Sequence, residues 1–368
     1  MRILQVCSAR SIGGGEKHVA SLANGLTQRG HTVLVALAPD SPVRSLLGCV
    51  PSDRIFEVPM RNALSFASAW KLRNLVRSNN IHIVHAHLGR DYPLAALAAG
   101  RSHARLVLTR HVMFPLSRVH KLTSRRAARV IAVSQPVADA LQSQNIFNPR
   151  IIRVIHNGVD VERFAAAKRL ATPNREKLRV GTVGELAPVK RHEDLIRAAQ
   201  KICLVEDNVE FIIAGEDKSP NGRNQSHLQN LIVDSLLGDR VRLAPWVDDI
   251  AALVATFDLF VSTSETESFG MAMVEAMAAG VPVIATATAG AREIIDPDLN
   301  GRLVPIGDVE AIASAIDLLL RNPELRARLS AAGQVSARRR FGLERMVSET
   351  AKLYEEVIAQ SAMSVPAS

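Results

Sequence analysis

Cysteine is scarce: Cys7, Cys49 and Cys203 are the only three, and no two stand at CxxC spacing. That excludes a disulfide scaffold and a zinc ribbon, and it fits a reducing compartment. Aromatic residues make up only 4% of the chain, too few for a module that grips sugars on aromatic platforms. No stretch of about 18 residues is apolar and unbroken enough to span a bilayer. The nearest, Ala276–Ala291, is broken by Gly280 and Pro282 and reads as a helix end followed by a buried strand. The apolar run after Met1 and Arg2 is too short for a signal-peptide core and reads as a first strand. The expectation is a cytoplasmic protein, or one peripheral to the inner face of a membrane.

What is present is a long, core-forming chain. Its 368 residues are 47% hydrophobic and 22% charged, enough for two domains of about 150–200 residues each. A single theme repeats: a short apolar run, a turn, then an amphipathic stretch. In the first half the runs are Ile3–Cys7, Thr32–Leu37, Ile81–His85, Arg105–Leu108, Val130–Val133 and Ile151–Ile155. In the second half they are Arg179–Val183, Val209–Ala214, Val241–Leu243, Leu259–Ser262, Pro282–Ala285 and Arg302–Val304. Apolar runs of this length separated by helical stretches predict parallel sheets covered on both faces. Two such sets predict an α/β chain of two doubly wound domains, 1–165 and 166–342. Ala165–Lys177 reads as the linker, and 343–368 as a terminal helix with a polar tail.

The net charge of +9 points to an anionic partner. Its distribution is uneven. Residues 1–165 hold 22 Lys and Arg against 8 Asp and Glu, whereas 166–368 hold 23 against 28. The basic character belongs to the first domain. Within it, Arg101–Arg129 carries eight basic residues, including Arg118, Lys121, Arg125, Arg126 and Arg129, and no acid. Val112, Met113, Phe114, Leu116, Val119 and Leu122 are interleaved among them. A solvated helix face is the ordinary reading of such a run. The absence of acids and the apolar interleave favour an anionic surface such as lipid head groups.

Two segments carry chemistry. Gly13-Gly14-Gly15-Glu16-Lys17-His18 follows the first strand and precedes a helix expected over Val19–Gln28. Glycines there allow close backbone approach to a ligand, and a helix N-terminus favours an anion. The third glycine of a dinucleotide fingerprint is missing, since His18 occupies that spacing; Asp40 remains a possible ribose partner. The second segment, Ser264–Pro282, holds Glu267 and Glu275 around Ser268-Phe269-Gly270, which would open a helix. Glu267 then lies in the loop before the helix and Glu275 about two turns inside it. One helix end thus offers N–H groups for phosphate and two carboxylates for sugar or ribose hydroxyls. By spacing alone, the ordinary reading is that Glu267 is a cap and Glu275 a paired helix carboxylate.

The second segment closely resembles the E-x7-E pattern of the retaining GT-B glycosyltransferases, in particular glycosyltransferase family 4. The resemblance runs in order over residues 1–340. It includes the Gly-Gly loop, Arg29-Gly30-His31-Thr32-Val33, Ile83-Val84-His85-Ala86-His87, Val133-Ser134, and Val154-Ile155-His156-Asn157-Gly158-Val159-Asp160 with Phe164. It continues through Ala289–Ile294 and Asn300-Gly301-Arg302-Leu303-Val304. The resemblance implies a two-domain GT-B fold, with a nucleotide-sugar donor on the second domain and the acceptor on the basic first domain. It implies that Glu275 holds ribose hydroxyls, that Glu267 holds donor-sugar hydroxyls, and that backbone N–H groups of Phe269, Gly270 and Met271 lie near the sugar and diphosphate. Lys190 matches the diphosphate lysine, His111 the histidine beside the donor sugar, and Gly14 and Gly15 line the cleft. The transfer implied is metal-independent and needs no cofactor. The acceptor hydroxyl attacks the anomeric carbon from the leaving-group face, and a donor phosphate oxygen takes its proton.

The chain departs from the family pattern at Glu185, where many members carry arginine, and at Pro245, where glycine is usual. His85 and His87 alternate on a strand in this reading, so that one of them faces the cleft. Envelope glycan, lipopolysaccharide or glycolipid synthesis follows as the expected setting, with a lipid-linked or glycan acceptor and no nucleic-acid partner. The alternatives are a non-catalytic GT-B-like binding module, a sugar-nucleotide epimerase or phosphorylase on the same fold, and a dehydrogenase.

Overall fold

The computed structural model describes residues 1–60, 65–100, 102–170 and 177–363. It divides into two units, Val159–Gly342 and Met1–Gly158 joined by the terminal segment from Leu343. The division falls before the 165/166 boundary read from the sequence. The supposed linker begins as helix Val161–Leu170, which packs on helices Ile250–Ala255 and Met271–Ala278 of the second unit. Residues 171–176 of that linker, Arg101 of the basic run and the tail 364–368 lie outside the described residues.

The first unit is built on seven parallel strands: β1 (Arg2–Cys7), β2 (Thr32–Leu37), β3 (Ile55–Glu57), β4 (Ile83–Ala86), β5 (Arg105–Arg110), β6 (Ala127–Ala132) and β7 (Ile152–Val154). Their order is β3-β2-β1-β4-β5-β6-β7. The order reverses at β1, and such a switch point opens a crevice at the C-terminal strand ends. Most strand interior positions are apolar on both faces, as a sheet covered on both sides requires; Gln5, His85 and Thr109 are buried polar exceptions. Ile3, Val33, Ile83, Val107 and Ile131 form one core with Val19, Leu22 and Leu26 of helix Gly14–Gln28. Val347, Tyr354 and Val357 of the terminal helix Leu343–Met363 complete the same core. That helix packs closely: a Cβ on Gly25 would stand 2.6 Å from Val347 Cγ2.

The second unit has six parallel strands: β8 (Leu178–Val183), β9 (Val209–Ala214), β10 (Val241–Ala244), β11 (Leu259–Ser262), β12 (Val283–Thr286) and β13 (Arg302–Val304). They run β10-β9-β8-β11-β12-β13, with the switch at β8. Val180, Phe211, Val261 and Ile284 bury against Leu195, Ile196 and Ala199 of helix His192–Cys203 and Ile312, Ile316 and Leu319 of helix Val309–Arg321. Side-chain caps fix several helix starts. Asp249, Thr288, Asp308 and Asn322 each accept from a backbone N–H three residues on. Among the described residues, no helix is long and apolar enough to cross a membrane.

Candidate functional site

In the second unit the site residues gather at the C-terminal ends of β8 and β11, which are neighbours in the sheet. After β8 the chain turns through Gly184–Ala187 and a short 3-10 turn, Pro188–Lys190. The β11 loop is tied to that turn: Thr263 Oγ1 donates to Lys190 O at 2.9 Å, and Glu265 N to Val189 O at 2.9 Å. These bonds set the register at which Lys190 meets Glu267. Lys190 Nζ donates to Glu267 Oε1 at 2.6 Å, and Ser264 Oγ donates to the same oxygen at 2.8 Å. Gly290 N in turn donates to Glu267 O at 3.1 Å. The pair is partly buried, at 27% and 15% exposure, so it is less screened than a surface ion pair.

Glu267 precedes helix Met271–Ala278, whose N-cap Gly270 has φ +107. Few side-chain-bearing residues adopt that backbone, so glycine is required to turn the loop into the helix. Phe269 is buried, with its ring edge-on to Phe341 at 5.4 Å, and Met271 is half-buried. Glu275 is 7% exposed. It lies a little over one turn into the helix rather than two, because the helix begins at Met271. Met273 N already donates to Gly270 O at 3.1 Å, while the N–H groups at a helix start generally lack i−4 carbonyls and the helix dipole adds positive potential there.

Two neighbours of Lys190 are committed elsewhere. Arg191, at φ +48, binds the buried Asp194 at 2.7 Å. Glu185 Oε2 lies 3.7 Å from Lys218 Nζ, which offsets part of the negative charge at the position where the family pattern has arginine. Pro245 is exposed beyond β10.

In the first unit, helix Gly14–Gln28 begins earlier than the sequence indicates, so Gly14 and Gly15 belong to its first turn. A Cβ on Gly15 would lie 3.3 Å from His111 Cγ, so Gly15 and His111, just past β5, are brought together. His18 joins them, its ring centroid 4.8 Å from that of His111. His85 and His87 do not face opposite ways. Residues two apart on a strand share a face, and their ring centroids stand 4.1 Å apart. Both are buried. His85 bridges Tyr354 Oη at 2.5 Å and Thr109 Oγ1 at 2.7 Å, while His87 meets Gln5 Oε1 at 2.7 Å. Burial drives the pKa of His18 down to about 4 and that of His85, His87 and His111 well below the usual imidazole range. The group is neutral at pH 7. Asp40 is exposed. The sequence offers His87 only as one of two alternating histidines and His18 only as a departure from a glycine fingerprint; the His-x-His spacing on a strand is the signal that places two rings together.

The basic run does not form one surface. Arg118, Lys121 and Arg125 are exposed, alongside Phe114 at 70%, Val119 at 56% and Leu122 at 69%. Arg126 is exposed yet donates to Ala96 O at 3.3 Å. Arg129 lies on β6, half-buried, and donates to Gln360 Oε1 of the terminal helix at 3.0 Å. It is part of the packing of that helix rather than of the exposed patch.

Known proteins agree with this architecture. Residues 165–335 match the glycosyl transferases group 1 family, and residues 12–163 match glycosyltransferase family 4. A phosphatidyl-myo-inositol mannosyltransferase of Mycobacterium leprae is 31% identical over 97% of this chain and 97% of its own length. A solved glycosyltransferase from Rickettsia africae superposes at TM-score 0.86, with 23% identity over 97% of this chain and 98% of that one. Anabaena HepE in complex with UDP and glucose superposes at 0.83, with 23% identity over 96% and 99%. With two switch-point sheets, the Lys190–Glu267 pair before a helix, and a relative matched along nearly its whole length, the chain belongs to the GT-B glycosyltransferases of family 4.

Proposed function

We propose that the protein transfers a hexosyl group from a nucleotide-diphosphate sugar to a hydroxyl of a lipid-linked or envelope-glycan acceptor, with retention of anomeric configuration. The observation that carries this reading is the Lys190–Glu267 pair at 2.6 Å, set just before the N-terminus of helix Met271–Ala278. Lys190 and the backbone N–H groups of Phe269, Gly270 and Met271, around the helix start, take the diphosphate, whose charge grows as the leaving group departs. No metal is needed for that task. Glu267 takes donor-sugar hydroxyls and Glu275 the ribose hydroxyls. By the family pattern His111, with Gly14 and Gly15, is assigned to the reacting sugar, and a donor phosphate oxygen receives the acceptor proton. The catalytic contribution is positioning and charge stabilisation.

Support for the donor class comes from HepE, solved with UDP and glucose, and for the acceptor class from the mannosyltransferase of phosphatidyl-myo-inositol. The exposed Phe114, Val119 and Leu122 beside Arg118, Lys121 and Arg125 fit an anionic lipid surface. The test is mass spectrometry of products from a nucleotide-sugar panel offered with lipid extracts. A new glycolipid with one added hexose supports the reading. Tight donor binding with no transfer or hydrolysis for any pair sinks it, and leaves the non-catalytic binding module that Glu185 favours.

A further inference from the structure

Three histidines from separate segments converge in the first unit. His18 comes from helix Gly14–Gln28, His87 follows β4 and His111 follows β5; one ring nitrogen of each lies within 4.8 Å of the others. His18 and His87 are 3% and 2% exposed. Four ring nitrogens in this group are buried with no protein partner at bonding geometry, namely His18 Nδ1, His87 Nδ1, and both Nδ1 and Nε2 of His111, while the Asn157 side chain approaches the His18 ring. Buried polar atoms are normally satisfied, and leaving one unpaired is costly. Four at one place mark a site built for something other than a protein hydrogen bond.

The tautomer of His87 follows from its neighbours. Gln5 Nε2 donates to Tyr354 Oη at 3.3 Å, so Gln5 Oε1 accepts from His87 Nε2 at 2.7 Å. The proton sits on Nε2, and Nδ1 keeps its lone pair. A metal-ligating imidazole commonly donates its other N–H to an oxygen in this way, which fixes the ring and raises its basicity.

We propose that His18, His87 and His111 form a binding site for a divalent transition-metal ion that prefers imidazole, of the class of Zn²⁺, Co²⁺ or Ni²⁺. The three-histidine group contains no carboxylate, so the oxygen-seeking Mg²⁺ and Ca²⁺ do not fit it. Tetrahedral ligation with bonds of about 2.0–2.1 Å sets ligand nitrogens about 3.3 Å apart. Closing from within 4.8 Å to that spacing requires small movements of the His18 and His111 rings toward the held His87, and three ligands leave a fourth position for solvent. An ion held there engages His111, which the proposed transfer needs free, so it inhibits that transfer and a chelator restores it.

A Co²⁺ titration of tag-free protein, followed by visible d–d absorption, tests the site. One Co²⁺ per chain, displaced by Zn²⁺, is expected. His18→Asn and His87→Gln each abolish the saturable band. Gln5→Leu weakens binding about 10–100-fold by freeing the His87 ring. His227→Asn, at an exposed position, leaves it unchanged. X-ray absorption of the Zn²⁺-loaded wild-type protein counts the imidazoles without relying on any variant to fold. Three imidazoles support the site. Fewer than three, no stoichiometric binding, or a band that survives either histidine substitution overturns it. None of these readouts depends on sugar transfer, so the site and the transfer reading fail separately.

Discussion

Lys190 Nζ and Glu267 Oε1 stand 2.6 Å apart across 77 residues of sequence, and Ser264 Oγ shares the same carboxylate oxygen. The carboxylate therefore fixes the position of the ammonium before any diphosphate arrives. Lys190→Ala removes the cation offered to the leaving group and is expected to lower kcat about 10²–10³-fold. Glu267→Gln keeps an oxygen for Lys190 and Ser264 but removes the charge, and is expected to lower kcat less. Steady-state kinetics with the donor found by the panel decide. Equal losses in the two variants would show that the glutamate charge, not only its placement of Lys190, serves the reaction.

Glu275 is a buried helix carboxylate, and its proposed ligands are the ribose hydroxyls. Hydrogen bonds to a charged group are worth about 1.5–3 kcal/mol, so Glu275→Gln is expected to weaken nucleotide binding about tenfold or more. Because that contact is the same in ground and transition states, KM rises while kcat holds. Calorimetric titration with the free nucleotide diphosphate measures the first effect directly. Unchanged affinity would remove Glu275 from the donor site.

Gly15 separates stability from activity. Gly→Ala gains about 1 kcal/mol of propensity in a helix interior and less in a first turn, so Gly15→Ala should change Tm little. Its new Cβ would sit 3.3 Å from His111 Cγ and press the ring aside by a few tenths of an ångström. The expected result is lower kcat with donor affinity intact. Gly15→Val, which cannot be accommodated by so small a shift, should lower both Tm and kcat.

Acid should destabilise the second unit through His192. The ring is 3% exposed and donates to Glu185 O at 3.1 Å, and burial lowers its pKa to about 4. Between pH 6.5 and about 4 the unfolded chain binds this proton and the native one does not. The contribution is therefore complete above pH 6.5 and lost as pH falls through that window, by about 3 kcal/mol in all. His192→Gln retains an N–H for Glu185 O and does not titrate. Urea unfolding at pH 7 and pH 5 should show a smaller stability loss for the variant than for the wild type; parallel losses would contradict the assignment.

The exposed apolar residues of the first unit can be tested without any acceptor. Phe114→Ser combined with Leu122→Ser removes two side chains that are 70% and 69% exposed, so the fold should stand. Flotation with anionic vesicles at low salt is expected for the wild type and should fall several-fold for the double variant. Replacing Arg118, Lys121 and Arg125 should have a similar effect. Replacing Arg129 should act on stability instead, through its bond to Gln360. A wild-type protein that stays with the soluble fraction would end the lipid-surface reading.

The sheets were legible because their strands are continuous apolar runs, which only a doubly covered sheet demands. β3 was not, since Ile55–Glu57 is three residues long, half exposed and at the sheet edge, with nothing in its pattern to distinguish it from a loop. Lys190 and Glu267 were legible as family positions, but their contact was not. It depends on β8 and β11 being neighbours, a pairing between segments about 80 residues apart that composition does not encode. His18 looked like a misplaced glycine of a nucleotide loop. Only the fold shows that it packs with His87 and His111. Glu185 looked like a bare anion near the diphosphate, and Lys218 from the next strand–helix connection answers it.

The composition of the first unit has a consequence for how the protein is made. Its core needs Val347, Tyr354 and Val357, which leave the ribosome after all of Val159–Gly342. The second unit is contiguous and can close its core during synthesis, whereas the first must wait with the apolar face of helix Gly14–Gln28 uncovered. A fragment ending at Gly158 should therefore aggregate, while Val159–Gly342 expressed alone should give a cooperative unfolding transition. The part of the chain that is translated first is the part that finishes folding last.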